Sequence, residues 1–161
     1  MSGIVSLQTG LPFTPTIQAD RDNAAVNNAA AGINRPNLVS GRNNGNIVRG
    51  GPDHYFDTSA FALQPAGFLG NAGRNILYGP GFANLDFSLV KDTALKFLGE
   101  NGRLEFRTEV FDLLNRANFS SPNNVVFAGR ANGEAPLGTA GSITSTASSS
   151  RQIQFAMKIV F

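Results

Sequence analysis

Strict alternation of apolar and polar residues is the feature that most constrains the fold of this chain. In the C-terminal segment every second residue from Ile153 to Phe161 is apolar. A period of two over such a run predicts a β-strand with one apolar and one polar face. A weaker strand signal lies at residues 4–8. The same alternation as in the C-terminal segment runs through residues 84–90 and 103–110.

One of these segments also fits a helix. Its apolar residues recur at the spacing of a helical stripe. They are Phe106, Val110, Leu113, Leu114 and Ala117. The pattern favours a strand over residues 103–111 and leaves the helix open. We expect a short helical turn to follow over residues 112–118.

The connections between these segments differ sharply in length. A short turn near residues 99–102 joins the second and third strands, whereas residues 9–82 and 114–150 show no sustained period and are predicted to be long irregular loops. Structureless loops beyond about 15 residues are uncommon in a compact soluble domain. Alternating long and short connections between antiparallel strands are typical of outer-membrane β-barrels, whose long loops are extracellular.

Composition and charge exclude several classes of function. With no Cys and one His, the chain has no disulfide framework, thiolate metal site, Cys nucleophile or multi-His metal site. A net charge of +2 is too small for a nucleic-acid footprint. No apolar run reaches the roughly 18 residues of a spanning helix. The first residues lack a signal peptide, so we expect any export signal to lie upstream of Met1.

Glu105 and Glu109 are the best candidates for paired catalytic carboxylates. Residues four apart on a strand are separated by about 13 Å, which is too far for glycoside hydrolysis. Arg107 between them indicates a salt ladder on a lumen-facing row instead. We therefore predict no catalytic residues at this position.

Other candidate sites lack essential residues. Asp20, Asp22 and Asn23 supply oxygen ligands, but the Gly and Glu of a calcium loop are missing, so we predict a solvated loop. His54 has no Ser or Cys motif to support a triad. We predict no catalytic, cofactor-binding or metal-binding residues, and no enzyme activity.

Seven segments follow one another in order along the chain: 55–61, 68–75, 79–82, 85–91, 104–115, 118–119 and 151–161. Together they resemble the C-terminal end of TonB-dependent outer-membrane receptors of the Oar-like type, whose N-terminal domain is carboxypeptidase-regulatory-like. The chain lacks the plug, the TonB box and most of the barrel, and Asp112 stands where the family has Asn. We therefore expect a fragment of a larger receptor.

The resemblance implies partners and a role for the last strand. The partners are outer-membrane lipid, the barrel assembly machinery, the TonB system through the missing N-terminal part, and an unknown solute. The long loops would contact the solute. The resemblance also implies a barrel-assembly signal in the terminal strand, and the same side chains would serve equally as lipid-facing residues. The residues of this signal are Phe155, Met157, Ile159 and Phe161.

The sequence thus predicts an all-β, antiparallel fold: the last four or so strands of a transmembrane β-barrel in the bacterial outer membrane. The resemblance implies energised uptake or binding of a solute, and we predict no catalysis. The alternative is a secreted soluble β-sandwich used for adhesion or glycan binding. Because four strands cannot close a barrel, we expect an isolated fragment to expose two sheet edges and to aggregate in water. The whole chain, 1–161, is predicted as one domain with strands at about 2–8, 83–97, 102–112 and 151–161.

Overall fold

The computed structural model describes residues 1–21 and 34–161, and strands dominate its regular structure. Of the acidic loop considered for calcium, Asp22 and Asn23 lie outside the described residues. Across the described ranges, no helix is long and apolar enough to cross a membrane. In chain order the strands and the α-helix are β1 Ser2–Gln8, β2 Pro12–Phe13, β3 Thr16–Ile17, β4 Asn37–Leu38, α1 Asn44–Ile47, β5 Phe61–Ala62, β6 Leu77–Tyr78, β7 Phe82–Ala94, β8 Arg103–Phe111, β9 Val125–Phe127 and β10 Gln152–Val160.

The four long strands form one antiparallel sheet in the order β1-β7-β8-β10. They are the three segments that alternation identifies together with the segment of the weaker strand signal at residues 4–8. The register places Val110 opposite both Phe87 and Ile153, so apolar residues of three strands share one face. A period of two fixes this register, because a slip of one residue would turn every apolar side chain to the polar face.

The predicted strand ends need small corrections. β7 ends at Ala94 rather than at residue 97, because the chain turns at Leu95, whose N–H donates to the Gly102 carbonyl at 2.7 Å. A 3-10 helix, Lys96–Leu98, fills the turn. Gly99 follows at φ 105°, a conformation that favours glycine. The connection therefore spans residues 95–102 and starts earlier than alternation alone predicts.

The helical turn expected over residues 112–118 is wrong. β8 is a strand through Phe111, which also settles the helical alternative for residues 103–111. Asp112 and Asn115 have positive φ values of 50° and 49°, which break a right-handed helix. A bend and a turn replace it.

In their described residues the two long connections are largely irregular, as predicted, but they also contain short paired strands that periodicity does not predict. The chain divides into a sheet unit (Met1–Gln8, Phe82–Asn118 and Ala147–Phe161) and a loop unit (Thr9–Gly81 and Phe119–Thr146). Within the loop unit, β2 pairs with β6, β4 with β5, and β3 lies parallel to β9. These pairings join residues far apart in sequence.

The loop unit has its own hydrophobic core. Phe56 packs edge-on to Phe61, with ring centroids 6.1 Å apart, and also contacts the Phe13 ring at 5.8 Å. Burying aromatic and aliphatic side chains stabilises such a unit by about 1.5–3 kcal/mol for each fully buried one. The core members are Ile17, Ile47, Tyr55, Phe56, Ala60, Phe61, Leu77, Val126, Phe127 and Ile143.

Candidate functional site

The apolar face of the sheet unit is exposed rather than packed. Phe106 on β8 stacks on Phe155 of β10, with ring centroids 6.1 Å apart. Phe155 nevertheless keeps 69% of its surface exposed. In water this much exposed apolar surface would drive association. A face of this kind suits contact with lipid, where outward-facing apolar rows alternate with polar ones.

The residues of the predicted barrel-assembly signal lie on or just after the edge strand β10. Phe155, Met157 and Ile159 share its apolar face, and Phe161 follows the end of the strand. All four side chains are exposed. Recognition by the assembly machinery stays a prediction, and the geometry is equally that of lipid-facing side chains.

The opposite face of the sheet is polar and carries the predicted salt ladder. The Arg107 guanidinium lies 3.3 Å from Glu105 and 3.9 Å from Glu109. Lys158 stands opposite Glu105 on the neighbouring strand. The ion pairs expected from the acid-base-acid spacing are thus confirmed. Each exposed pair is worth no more than about 1 kcal/mol, so the row shapes the polarity of this face more than it stabilises the sheet.

A groove of about 400 Å³ runs along the polar face of the sheet unit. Asp86, Arg107 and Glu109 line it together with the apolar side chains of Val90 and Phe111. Charges of both signs next to apolar surface form a polar, water-accessible lining. Such a lining is typical of the interior of an outer-membrane barrel.

Asp57 anchors the loop unit. Its carboxylate accepts hydrogen bonds from the Ser59 hydroxyl at 2.7 Å and the Ser59 N–H at 3.0 Å, and lies 2.8 Å from Arg49 and 3.5 Å from Arg42. The hydrogen bonds from Ser59 and the Arg49 guanidinium hold the pKa of Asp57 below its ordinary value, although burial acts in the opposite direction. Asp57 therefore caps one 3-10 helix, Thr58–Ala60, and ties two arginines to it.

A second carboxylate, Glu134, closes a turn of the same unit. It accepts hydrogen bonds from the N–H groups of Gly129, Arg130 and Ala131. Burial acts to raise the pKa of Glu134, but these donors and the Arg21 charge bring it below its ordinary value. Arg21 is itself buried and donates to the carbonyls of Gln64 and Gly129. These contacts join the two segments of the loop unit, Thr9–Gly81 and Phe119–Thr146. Sequence periodicity does not predict them.

His54, the one histidine, is exposed on the loop unit. Several glycines of the loop unit lie in close backbone contacts. A Cβ on Gly10 would lie 1.7 Å from the Gly79 carbonyl oxygen, for example, so the chain there has no room for a side chain. These glycines serve packing within the loop unit.

The comparisons with known proteins agree with this geometry. A family model described as an outer membrane beta barrel domain matches residues 1–154. Neither a curated protein nor a solved structure matches the chain. The match does not favour the alternative of a secreted β-sandwich. With its four antiparallel strands and two distinct sheet faces, the chain belongs to the outer membrane beta barrel domain family and is a protein of the bacterial outer membrane.

Proposed function

We propose that this chain is part of an outer-membrane receptor of the TonB-dependent, Oar-like type, which binds or takes up a solute without catalysis. The observation that carries the proposal is the loop unit. The connections between β1 and β7 and between β8 and β10 pair with each other and enclose a hydrophobic core. A packed surface of this kind holds side chains in place for ligand capture, as rigid scaffolds do in other binding proteins.

The two faces of the sheet support the same proposal. The apolar face suits lipid, and the polar face with its ion pairs suits a barrel interior through which a solute passes. The segments that resemble the Oar-like receptors include the strands and also residues 55–61 of the loop unit, which contain the core aromatics Tyr55, Phe56 and Phe61. Resemblance therefore extends to the part that would meet the solute.

Four kinds of partner follow from this function. The barrel assembly machinery would insert the strands, and lipid would cover the apolar face. The TonB system would supply energy through a plug encoded upstream, and the loop unit would contact the solute. No nucleic acid or cofactor takes part.

The direct test is the coding sequence upstream of the first codon in the native genome. We expect an open frame that continues for several hundred codons and encodes a signal peptide, a plug and further alternating strands. A stop codon and a ribosome-binding site immediately before Met1 would refute the receptor proposal.

The functional test is uptake by the native bacterium. An in-frame deletion of the gene is compared with the parent on a panel of ferric siderophores, cobalamin and oligosaccharides, with and without a protonophore. We expect uptake of one panel member to fall at least tenfold in the deletion strain. In the parent, the protonophore should reduce uptake of the same solute by an equal factor. Uptake that depends on the gene but is insensitive to the protonophore would show a passive channel.

A further inference from the structure

A cleft of about 260 Å³ lies in the sheet unit where the long connections leave the strands. We call it the rim cleft. Asn84 and Asp86 of β7, Asp112 just after β8, and Ser148, Ser149 and Ser150 just before β10 line it. Three strand ends therefore contribute oxygen-bearing side chains to one small volume.

The two acidic residues of the rim cleft are linked by a hydrogen bond from the backbone of one to the carboxylate of the other. The backbone N–H of Asp112 donates to Asp86 Oδ1 at 3.0 Å, and the Asn84 amide donates to the same oxygen at 2.8 Å. Asp112 is 5% exposed and has the left-handed backbone already described. Its Oδ1 accepts from the Arg116 N–H at 3.2 Å. The backbone thus fixes both acids in place.

Two oxygens at the rim cleft have no hydrogen-bond partner. Asp112 Oδ2 and Asn84 Oδ1 are both inaccessible to solvent and both unpaired. Across residues 1–21 and 34–161, the salt bridges include neither Asp86 nor Asp112. A buried carboxylate without a counter-charge is costly, and buried charges in proteins are normally paired or coordinate a metal.

We propose that the rim cleft binds a hard divalent cation, Ca²⁺. The ligands are Asp112 Oδ2, Asn84 Oδ1 and an Asp86 carboxylate oxygen, with serine oxygens or water completing the shell. In the described part of the chain no three His, Cys, Asp or Glu side chains gather around a metal position, so amide and hydroxyl oxygens are needed. An all-oxygen set of mixed type suits the irregular six- to eight-fold coordination of Ca²⁺ better than the strict octahedron of Mg²⁺.

Bound Ca²⁺ would join three strand ends. Asp86 lies in β7, Asp112 follows β8, and the serines precede β10, so the ion would cross-link the rim at which both long connections begin. Because a ligand that binds only the folded state stabilises it, Ca²⁺ would raise the unfolding temperature. Ca²⁺ binding at the rim cleft would require neither TonB, nor the solute, nor transport.

The test uses the full natural protein purified in detergent and stripped with a chelator. CaCl₂ is the probe, calorimetric titration measures binding, and circular dichroism follows thermal unfolding. Asp112→Asn removes the charge with little change in size, and Asn tolerates a positive φ well. Asp92→Asn, at an exposed position near the other end of β7, is the matched control.

We expect saturable Ca²⁺ binding by the parent and by Asp92→Asn. Asp112→Asn should lose one equivalent of bound Ca²⁺ or bind it at least tenfold more weakly, and MgCl₂ at the same concentration should not compete. If Asp112→Asn reduces the folded yield, Asp86→Asn must give the same loss of binding. Equal stoichiometry and affinity in the parent and in both rim variants, or no Ca²⁺ binding at all, would overturn the proposal.

Discussion

At the scale of single residues, the structure depends on carboxylates that satisfy backbone donors and arginines. Glu134 accepts from three consecutive turn residues, and Asp57 combines a helix cap with two ion pairs. Charge-assisted hydrogen bonds of this kind are stronger than neutral ones. The strands of the loop unit are only two or three residues long. These hydrogen bonds and ion pairs therefore help to hold its segments in place.

Asp57→Asn is predicted to loosen the loop unit. The amide keeps the size of the side chain but removes the charge that pairs with Arg49 and Arg42, at a cost of about 1–2 kcal/mol. Limited trypsin digestion of the folded protein should cleave the loop unit several-fold faster. Asp53→Asn, an exposed acid in the same segment, is the control and should digest like the parent.

The pH dependence follows from the lowered pKa of Asp57. A carboxylate whose folded pKa lies below its unfolded value stabilises the fold above the unfolded pKa, and this stabilisation is lost as pH falls through the folded pKa. The difference in the free energy of unfolding between the parent and Asp57→Asn should therefore be largest at neutral pH. It should shrink as the pH falls below the ordinary pKa of aspartate, near 4. A difference that stayed constant down to pH 3 would contradict the ionic role.

At the scale of elements, the sequence was sufficient for the sheet and insufficient for the loop unit. Alternation predicts three of the four long strands because one face of each must differ from the other, whereas β1 shows only a weaker strand signal. The predicted end of β7 is three residues too late. Two-residue strands such as β2 and β6 are too short to show a period. Their pairing depends on contacts across long sequence separations, such as Gly10 against Gly79, which single-sequence patterns do not reveal. The rim cleft was missed for the same reason, since Asn84, Asp112 and the serines are separated in sequence.

The two faces of β10 are predicted to respond oppositely to a lysine. Phe155→Lys puts a charge on the apolar face, where it would cost about 2–4 kcal/mol near the middle of the bilayer. Gln154→Lys, one residue earlier, faces the polar side opposite Glu109 and should be neutral. The measurement is the fraction of protein that is folded in the outer membrane, seen as heat-modifiable migration on gels.

We expect the folded fraction to fall several-fold for Phe155→Lys and to stay at the parent level for Gln154→Lys. Equal losses in both variants would indicate that lysine disturbs β10 in general, and equal tolerance would show that the Phe155 face does not meet lipid.

At the scale of the whole molecule, connectivity predicts the orientation in the membrane. The short turn between β7 and β8 and the two long connections leave opposite ends of the sheet, since adjacent strands are antiparallel. Outer-membrane barrels place short turns in the periplasm and long loops outside the cell. The loop unit should therefore be extracellular and residues 95–102 periplasmic.

Epitope tags test this orientation. One tag is inserted between Gly50 and Gly51, which have open space around them, and another between Glu100 and Asn101 in the short turn, where the side chains are exposed. Exposed turns of this type tolerate insertions well. Antibody should label the first tag on intact cells, whereas the second should be labelled only after the outer membrane is permeabilised. Labelling of the second tag alone on intact cells would reverse the orientation, and the loop unit could then not meet an external solute. Each tag is placed in a separate copy of the same protein. The two tagged proteins therefore control each other for expression and folding.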